Sequence, residues 1–269
     1  AESALLGLDE IVAAAGISLA DIAEIIHGTT LVTNAIIERR GAKLGLITTE
    51  GFRDILEMGT EQRYDIYDLF LTFPEPLVPR QRRLEVAERL DRNGSVVTPL
   101  DEDMVCEALA RLVAMGVDAV AVCFLHSCAS DAHERRVATI ARDLYPQLTV
   151  SLSCDVVPEL GEYQRCVTTC ANAYVQPLMA RYVARLGREL RVRGFFGALR
   201  LMHSGGGLVS PETAATVPIR LLESGPAGGG LATALFGRLA GKLDLISFDM
   251  GGTSTDVSHY AGEYERAFN

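Results

Sequence analysis

Two aspartates that flank a short run of glycine and hydroxyl residues are the part of this sequence best suited to chemistry. Asp249 follows an apolar run that predicts a short buried strand, and Asp256 lies in a following segment of alternating character. Glycine suits a turn in which backbone N–H groups come close to a ligand such as phosphate. A carboxylate at the mouth of this turn can hold a water of a hydrated Mg²⁺. We therefore expect a β-hairpin with a phosphate-binding turn, with Asp249 associated with the metal and Asp249 and Asp256 as the catalytic pair.

The turn residues expected to contact a phosphate-bearing cofactor are Gly251, Gly252, Thr253 and Ser254. The alternative is an ordinary Gly-Gly hairpin in which Asp249 only hydrogen-bonds the turn. The segment matches neither a Walker loop nor a Rossmann fingerprint, because those lead from a strand into a helix and strand-like sequence continues here.

Two further glycine clusters lie upstream of the aspartates. The first, at 203–207, follows a predicted strand, and the second, at 224–230, opens a predicted helix that reaches about Leu239. Strand ends and helix starts are where open α/β sheets bind ligands, and clustered glycines there suggest close backbone approach. The residues assigned to cofactor contact are Gly225, Gly228 and Gly229, and those assigned to the substrate cleft are His203, Ser204, Gly205 and Gly206.

A Gly-Thr-Thr segment near the start of the chain predicts a second wall of the same cleft. A short strand at 25–27 delivers this turn to a helix N-terminus, where free N–H groups and the helix dipole favour an anion or a polar ligand. In the alternative, a threonine of the turn only caps the helix, whose pattern is clearest at 36–40. The cleft residues assigned here are Gly28, Thr29, Thr30 and Asn34.

The remaining patterns alternate between helix and strand, which predicts a β-α-β unit with parallel strands on a mixed sheet. Proline should break the helical segment at 158–193 near Pro177. The other predicted elements are helices at 3–15, 18–24, 101–115 and 131–144, strands at 43–48, 117–125 and 148–152, and a hairpin at 86–98 around Asn93-Gly94.

No chemical role is predicted for the segment at 59–80 or for the arginines at and after its end. The aromatics of the segment are expected mainly to pack on the core, with pocket lining as the alternative, and the arginines to form a solvated face. The aromatics are Tyr64, Tyr67, Phe70 and Phe73, and the arginines are Arg80, Arg82, Arg83 and Arg89.

Composition narrows the class of protein. The 269 residues are 48% hydrophobic and 22% charged, with a net charge of −10, which argues against a general nucleic-acid binder. No apolar stretch approaches the roughly 18 residues needed to cross a bilayer, so we expect no membrane partner and a cytoplasmic location. The six cysteines show no disulfide framework spacing and are expected to be reduced.

Five ordered blocks together resemble the hydantoinase A/5-oxoprolinase family, and the resemblance covers nearly the whole chain. These blocks are 27–41 (HGTTLVTNAIIERRG), 48–54 (TTEGFRD), 172–177 (NAYVQP), 224–228 (SGPAG) and 248–256 (FDMGGTSTD). The resemblance implies an α/β actin-like ATPase fold, related to ribonuclease H, present in part and with mixed sheets and flanking helices. It also implies an N-terminal-type region at 1–200 and the start of a hydantoinase A domain, with its second phosphate loop, at 201–269.

The activity that the resemblance implies is ATP-dependent hydrolysis of a cyclic amide such as a hydantoin or 5-oxoproline. ATP would phosphorylate the amide oxygen and so activate the carbonyl for attack by water, with Mg²⁺ neutralising phosphate charge. The alternative is an ATP-using subunit of a ketone carboxylase, or another non-hydrolytic actin-like ATPase. The implied partners are the cyclic amide and a hydantoinase B-like subunit or domain, with a homo-oligomer as a further alternative.

Departures from the family pattern qualify this expectation. Family members carry a first phosphate loop near the N-terminus and extend well beyond the position of Asn269, so we expect a fragment that is inactive by itself. His203 and Gly205 stand where many relatives have Gln and Asn, which concerns substrate specificity.

Overall fold

The computed structural model describes residues 2–60, 62 and 65–263. Tyr64 therefore lies outside the described residues. The chain divides into two compact units: a central unit at 41–177, and a discontinuous unit that combines 1–40 with 178–269. The sequence-based boundary near residue 200 stays a prediction.

The helices and strands have the following bounds in the described part of the chain. The helices are α1 (Glu2–Ala15), α2 (Leu31–Ile37), α3 (Ile55–Met58), α4 (Glu102–Ala114), α5 (Ala132–Leu144), α6 (Ser153–Val156), α7 (Glu162–Val192), α8 (Pro211–Thr216) and α9 (Ser224–Ala240). The strands are β1 (Glu24–His27), β2 (Leu44–Thr49), β3 (Arg83–Val86), β4 (Arg89–Leu90), β5 (Val96–Thr98), β6 (Ala119–Cys123), β7 (Thr149–Leu152), β8 (Ala198–Met202), β9 (Leu208–Val209), β10 (Asp244–Met250) and β11 (Thr255–Ala261).

The central unit is built on a four-stranded sheet of order β3-β2-β6-β7, in which every pairing is parallel. All residues of β2 and β6 are buried, as expected of a parallel sheet covered on both faces. The predicted β-α-β unit is therefore present. The expectation of a mixed sheet is wrong for this unit, because Arg83–Val86 forms a fourth parallel strand beside β2 and the predicted hairpin is confined to β4 and β5.

Helix α4 shows how local signals and packing agree in the central unit. Asp101 caps its N-terminus by accepting a hydrogen bond of 2.9 Å from the Met104 N–H. Its apolar face is buried through Leu109 and Leu112. A Cβ at Gly45 of β2 would lie 2.7 Å from Leu112, so glycine lets the helix approach the sheet closely.

A buried polar network joins the ends of β2 and β6 to the start of α5. Glu88, which is 3% exposed, accepts a short hydrogen bond from the Thr49 hydroxyl and lies 2.8 Å from the His133 Nδ1 atom. The Thr49 hydroxyl in turn accepts from the Leu125 N–H at 3.0 Å. Every member thus depends on the Glu88 carboxylate, directly or through one bond.

We predict that Glu88→Ala destabilises the central unit strongly, because it leaves His133 and the Thr49 hydroxyl buried without their acceptor. Removing one partner of a buried pair lowers the free energy of unfolding by about 3–5 kcal/mol. Urea unfolding followed by circular dichroism measures the change. Glu102→Ala is the matched control, since Glu102 pairs with Arg136 at the exposed surface and should matter far less. Equal effects of the two substitutions would contradict the assignment.

The discontinuous unit contains a mixed sheet of order β1-β8-β9, with β1 parallel and β9 antiparallel to β8. A core cluster that includes Leu5, Leu19, Leu186, Leu190 and Phe195 packs helices α1 and α7 together. A second sheet of this unit is the hairpin of β10 and β11.

Several local predictions are corrected by this structure. The helix after Ser18 is a short 3-10 turn that ends at Asp21, because the chain must extend into β1. Helix α2 begins at Leu31, directly after the Gly-Thr-Thr turn, rather than near residue 36. Helix α7 continues through Pro177, since the loss of one backbone donor is offset by burial of residues on both sides, including Tyr174 and Met179.

Burial was also predicted wrongly for several aromatic residues, for strand β10 and for Arg83, which is buried rather than part of a solvated face. Tyr67 and Phe70 are 86% and 88% exposed, because Asp65 and Asp68 accept hydrogen bonds from their N–H groups and hold local turns away from a core. Phe73 is 54% exposed. Strand β10 was expected to be buried, yet Ile246 and Phe248 are exposed in the described part of the chain.

Within residues 2–60, 62 and 65–263, the structure contains no helix with both the length and the apolar character required to cross a membrane.

Candidate functional site

The predicted strand–turn–strand segment is an antiparallel hairpin. Asp249 and Asp256 lie directly opposite each other in its register. The Gly251 N–H donates to the Ser254 carbonyl at 3.0 Å, which leaves Gly252 and Thr253 at the tip of the turn. The two aspartates are thus one residue pair away from a tight turn.

One face of the hairpin packs on helix α9, and the aspartates belong to that face. Because side chains alternate along a strand, Leu245, Ser247 and Asp249 share a face with their opposite residues on β11. A Cβ at Gly237 of α9 would lie 2.5 Å from Leu245, and one at Gly230 would lie 4.0 Å from the Ser258 hydroxyl. The contacts therefore turn the carboxylate-bearing face toward α9.

The direction of these contacts points the aspartates toward the start of α9. Leu245 lies near Gly237, and the next pair on this face, Ser247 with Ser258, lies near Gly230. A further step of two residues, about 7 Å along the strand, reaches Asp249 and Asp256. This step extends toward the first turn of α9, where free N–H groups and the positive end of the helix dipole lie.

Two carboxylates in this arrangement favour a cation. Like charges directly opposite on adjacent strands destabilise the pairing. Neither Asp249 nor Asp256 forms an ion pair within the described residues. The described chain holds no group of three or more His, Cys, Asp or Glu side chains placed for a metal ion. Mg²⁺ does not require such a group, because it retains waters and binds through one or two carboxylates plus phosphate oxygens.

The tip of the turn offers room and donors for phosphate. Among the described residues, the Gly252 and Thr253 N–H groups have no acceptor in the chain. A Cβ at Gly252 would meet nothing within 4 Å, and its φ is not positive. Neither conformation nor internal packing therefore requires glycine here, and a side chain would instead occupy the space in front of the turn. These features fit a bound phosphate together with Mg²⁺.

The Gly-Thr-Thr turn meets the start of α9 directly. The Ser224 hydroxyl donates to the Thr29 carbonyl at 2.9 Å, and the Thr29 N–H lies 3.5 Å from the same oxygen. A Cβ at Gly225 would lie 3.3 Å from the Thr30 methyl carbon. The Asn34 amide donates to the Thr30 hydroxyl at 3.3 Å. Three of the predicted cleft residues are thus gathered beside α9, and Gly28 precedes them in the same turn.

The 203–207 turn also reaches this helix. The Ser204 hydroxyl donates to the Arg220 carbonyl at 2.6 Å and accepts from the Glu223 N–H, one residue before α9, at 3.3 Å. His203 Nδ1 accepts from the Gly205 N–H at 2.9 Å, so the imidazole stabilises its own turn. Gly206 has a φ of +80°, which favours glycine.

The structure therefore gathers most predicted site residues around the N-terminal end of α9, to which Gly225, Gly228 and Gly229 belong. The described contacts link the hairpin to α9 through Ser258 and Leu245 rather than through Asp249 or Asp256. The roles assigned to these residues in phosphate, metal and substrate binding remain predictions.

Sequence reasoning missed two side chains that hold the Gly-Thr-Thr turn. His27 Nε2 lies 2.6 Å from the Tyr182 hydroxyl, and the two rings stack with centroids 5.8 Å apart. Burial lowers the pKa of His27 and raises the pKa of Tyr182, while a hydrogen bond with Thr29 acts in the opposite direction on Tyr182. Helical periodicity around Tyr182 gave only a packing signal. The sequence also assigned no role to the buried Ser224, although its position before Gly-Pro marks a helix start.

We predict that acid destabilises the discontinuous unit partly through His27. Because its folded pKa lies below the ordinary value of about 6.5, the unfolded chain binds the proton more readily. The stability is present above pH 6.5 and falls as the pH drops through that value. Unfolding measured at pH 7.5 and 5.5 should show a smaller loss for His27→Gln than for the native sequence. An unchanged loss would contradict this origin.

Comparison with known proteins agrees with this architecture. Residues 1–145 match the hydantoinase/oxoprolinase N-terminal region, and residues 165–269 match the family described as hydantoinase/oxoprolinase. The chain is 34% identical to the acetophenone carboxylase gamma subunit of Aromatoleum aromaticum over 86% of its length and 33% of that protein. It is 34% identical to the caprolactamase subunit alpha of Pseudomonas jessenii, covering 89% of this chain and 35% of that subunit. It is 36% identical to 5-oxoprolinase 1 of Arabidopsis thaliana, covering 89% and 20%.

Two solved structures share the fold. The crystal structure of the ATP-dependent caprolactamase from Pseudomonas jessenii superposes with a TM-score of 0.82 and 34% identity, covering 94% of this chain and 38% of that one. A nucleotide-free acetone carboxylase structure also gives 0.82, with 29% identity and the same coverage. The chain thus spans about a third of these proteins and about a fifth of 5-oxoprolinase 1.

The α/β architecture with mixed sheets and flanking helices is that of an actin-like ATPase, in part, as the sequence predicted. Within that class, the chain belongs to the hydantoinase/oxoprolinase family.

Proposed function

We propose that the whole protein carrying this chain is an ATP-dependent hydrolase of cyclic amides, of the 5-oxoproline or hydantoin type. The observation that carries this proposal is the pair Asp249 and Asp256, set on the α9-facing side of a glycine turn in a member of this family. Relatives named 5-oxoprolinase and caprolactamase subunit alpha support it, because 5-oxoproline and caprolactam are both cyclic amides.

The turn is the proposed phosphate-binding element. The Gly252 and Thr253 N–H groups donate to phosphate oxygens, and the hydroxyl groups of Thr253 and Ser254 add donors at the same edge. Gly225, Gly228 and Gly229 allow the backbone of α9 to approach the same nucleotide. Phosphate charge is stabilised at the start of α9 by the helix dipole.

The aspartates are proposed to organise the metal. Asp249 would hold Mg²⁺ through a bound water, and Asp256, directly opposite in the hairpin, would help to neutralise the charge of the metal. ATP supplies the phosphoryl group that activates the amide oxygen. The protein residues contribute positioning and electrostatic stabilisation, which are the main sources of rate in phosphoryl transfer.

The second wall of the cleft is proposed to contact the cyclic amide. Gly28, Thr29, Thr30 and Asn34 form one part of this wall, and His203, Ser204, Gly205 and Gly206 form the other. A hydantoinase B-like subunit or domain is the proposed partner, consistent with relatives that are named as subunits. A cytoplasmic location is part of the proposal, supported by the six free cysteines, of which Cys123, Cys166 and Cys170 are buried.

A ketone carboxylase subunit is the second candidate function. The similarity to the acetophenone carboxylase gamma subunit and to acetone carboxylase favours it. Both candidates use the same phosphate turn, and they differ in the carbonyl compound that is activated. Bicarbonate-dependent ADP release with a ketone would select the carboxylase, and ADP release with a cyclic amide alone would select the hydrolase.

We predict that Asp249→Asn in the full-length protein lowers kcat for cyclic-amide-dependent ADP release by about a hundredfold or more, because charge stabilisation at the phosphate is lost. Coupled assays with 5-oxoproline, hydantoin and caprolactam measure the change. Asp244→Asn is the matched control, since Asp244 lies on the same strand but on the opposite face. Near-native turnover of Asp249→Asn, or an equal loss in Asp244→Asn, would refute the assignment.

A further inference from the structure

The central unit contains a pocket whose lining is dominated by arginine. It has a volume of about 450 Å³, within the range of small-molecule sites. Its lining residues are Arg53, Arg80, Gln81, Arg83, Leu84, Arg111 and Met115. No carboxylate lines this pocket among the described residues. The sequence suggested only a solvated face for Arg80 and Arg83, and it gave no reason to group Arg53 and Arg111 with them.

Four separate elements bring these guanidinium groups together. Arg53 lies in the turn between β2 and α3, and Arg111 lies in the last turn of α4. Arg80 begins a 3-10 helix, and Arg83 begins β3 directly after it. Parallel pairing of β3 with β2 and packing of α4 on β3 therefore create the cluster.

Two of the four charges are already compensated. Arg80 forms a bidentate pair with Asp54, with distances of 2.7 and 2.9 Å. Arg83 is 1% exposed, pairs with Glu57 and donates to the Val78 carbonyl at 2.8 and 2.6 Å. These contacts hold both guanidinium groups in fixed positions at the pocket wall.

The other two guanidinium groups are less closely paired within the described chain. The Arg53 Nε atom is buried and makes no hydrogen bond, and its ion pair with Glu85 is long, at 3.9 Å. The other oxygen of Glu85 accepts from the Gly51 N–H. Arg111 has no acceptor among the described residues, although Glu107 lies one helical turn before it and lines an adjoining cavity of about 230 Å³.

An unpaired buried donor destabilises a protein unless an ion or water satisfies it. Guanidinium groups bind phosphate through paired N–H donors, and such charge-assisted bonds are stronger than neutral ones. Arg111, which has no ion pair among the described residues, and Arg53, whose ion pair is long, are therefore available to an anion. We propose that Arg53, Arg80, Arg83 and Arg111 form a binding site for a phosphate dianion, free or as a small phosphomonoester.

Isothermal titration of inorganic phosphate into the protein, at pH 8 and constant chloride concentration, tests the site. One saturable event with a Kd of about 1 mM or tighter is expected. Arg53→Gln and Arg111→Gln should each weaken binding about tenfold or more, because each loses a charged donor. Titration with glycerol phosphate distinguishes the sources, since tighter binding than inorganic phosphate identifies a phosphomonoester and weaker binding identifies the free ion.

Two control variants separate this site from others. Arg142→Gln removes an exposed arginine elsewhere on the central unit and should leave phosphate binding unchanged. Gly252→Val alters the proposed phosphate-binding turn of the discontinuous unit, so phosphate binding that persists in this variant belongs to the arginine site and does not depend on the proposed function. An NMR shift of the Arg53 Nε–H resonance on phosphate addition locates the contact. Absence of saturable binding, or loss of binding in Gly252→Val with retention in the Arg53 and Arg111 variants, would overturn the proposal.

Discussion

The contact between the β10-β11 hairpin and helix α9 is the constraint on which the candidate site depends. It exists because residue 237 has no side chain: even a Cβ there would lie 2.5 Å from Leu245 and 2.8 Å from the Lys242 carbonyl. Close approach at this point fixes which face of the hairpin turns to the helix. That face carries Asp249 and Asp256, and the direction of the strands then carries the two carboxylates toward the start of α9.

The start of α9 is in turn the meeting point of the other glycine-containing segments. Ser224 bonds to Thr29, and the Ser204 hydroxyl accepts from the Glu223 N–H. The Gly-Thr-Thr turn is supported from behind by the stacked His27 and Tyr182. The N-cap residue of α9, Glu223, makes no side-chain hydrogen bond to the helix. The start of α9 therefore has free N–H groups with hydroxyl groups nearby, an arrangement that suits a phosphate-bearing ligand.

The central unit uses buried charge differently. Glu88 and Glu134 are satisfied internally: Glu134 accepts from the Phe124 N–H, the Ser153 hydroxyl and the Cys154 N–H. These networks fix the chain where it leaves β2 and β6 and where it follows β7, and a fully satisfied buried network rigidifies its surroundings. The arginine pocket of the same unit differs, because Arg111 has no ion pair among the described residues and the buried Arg53 Nε–H has no acceptor. The arginine pocket therefore suits an anionic ligand, whereas the carboxylate networks are already satisfied.

The sequence by itself determined the elements whose signals are local. The succession of helical and buried-strand patterns located α4, β6, α5 and β7, and the Asp-x-Gly-Gly-Thr-x-Thr-Asp spacing located the hairpin and its turn. Family blocks predicted the fold class. Only the tertiary structure decided which segments meet. Pairing of β3 with β2, continuity of α7 through Pro177 and exposure of Tyr67 and Phe70 depend on packing and on hydrogen bonds that no local pattern encodes. The same reason explains the Tyr182–His27 pair and the arginine cluster: their members lie far apart in the chain, and only the fold brings them into contact.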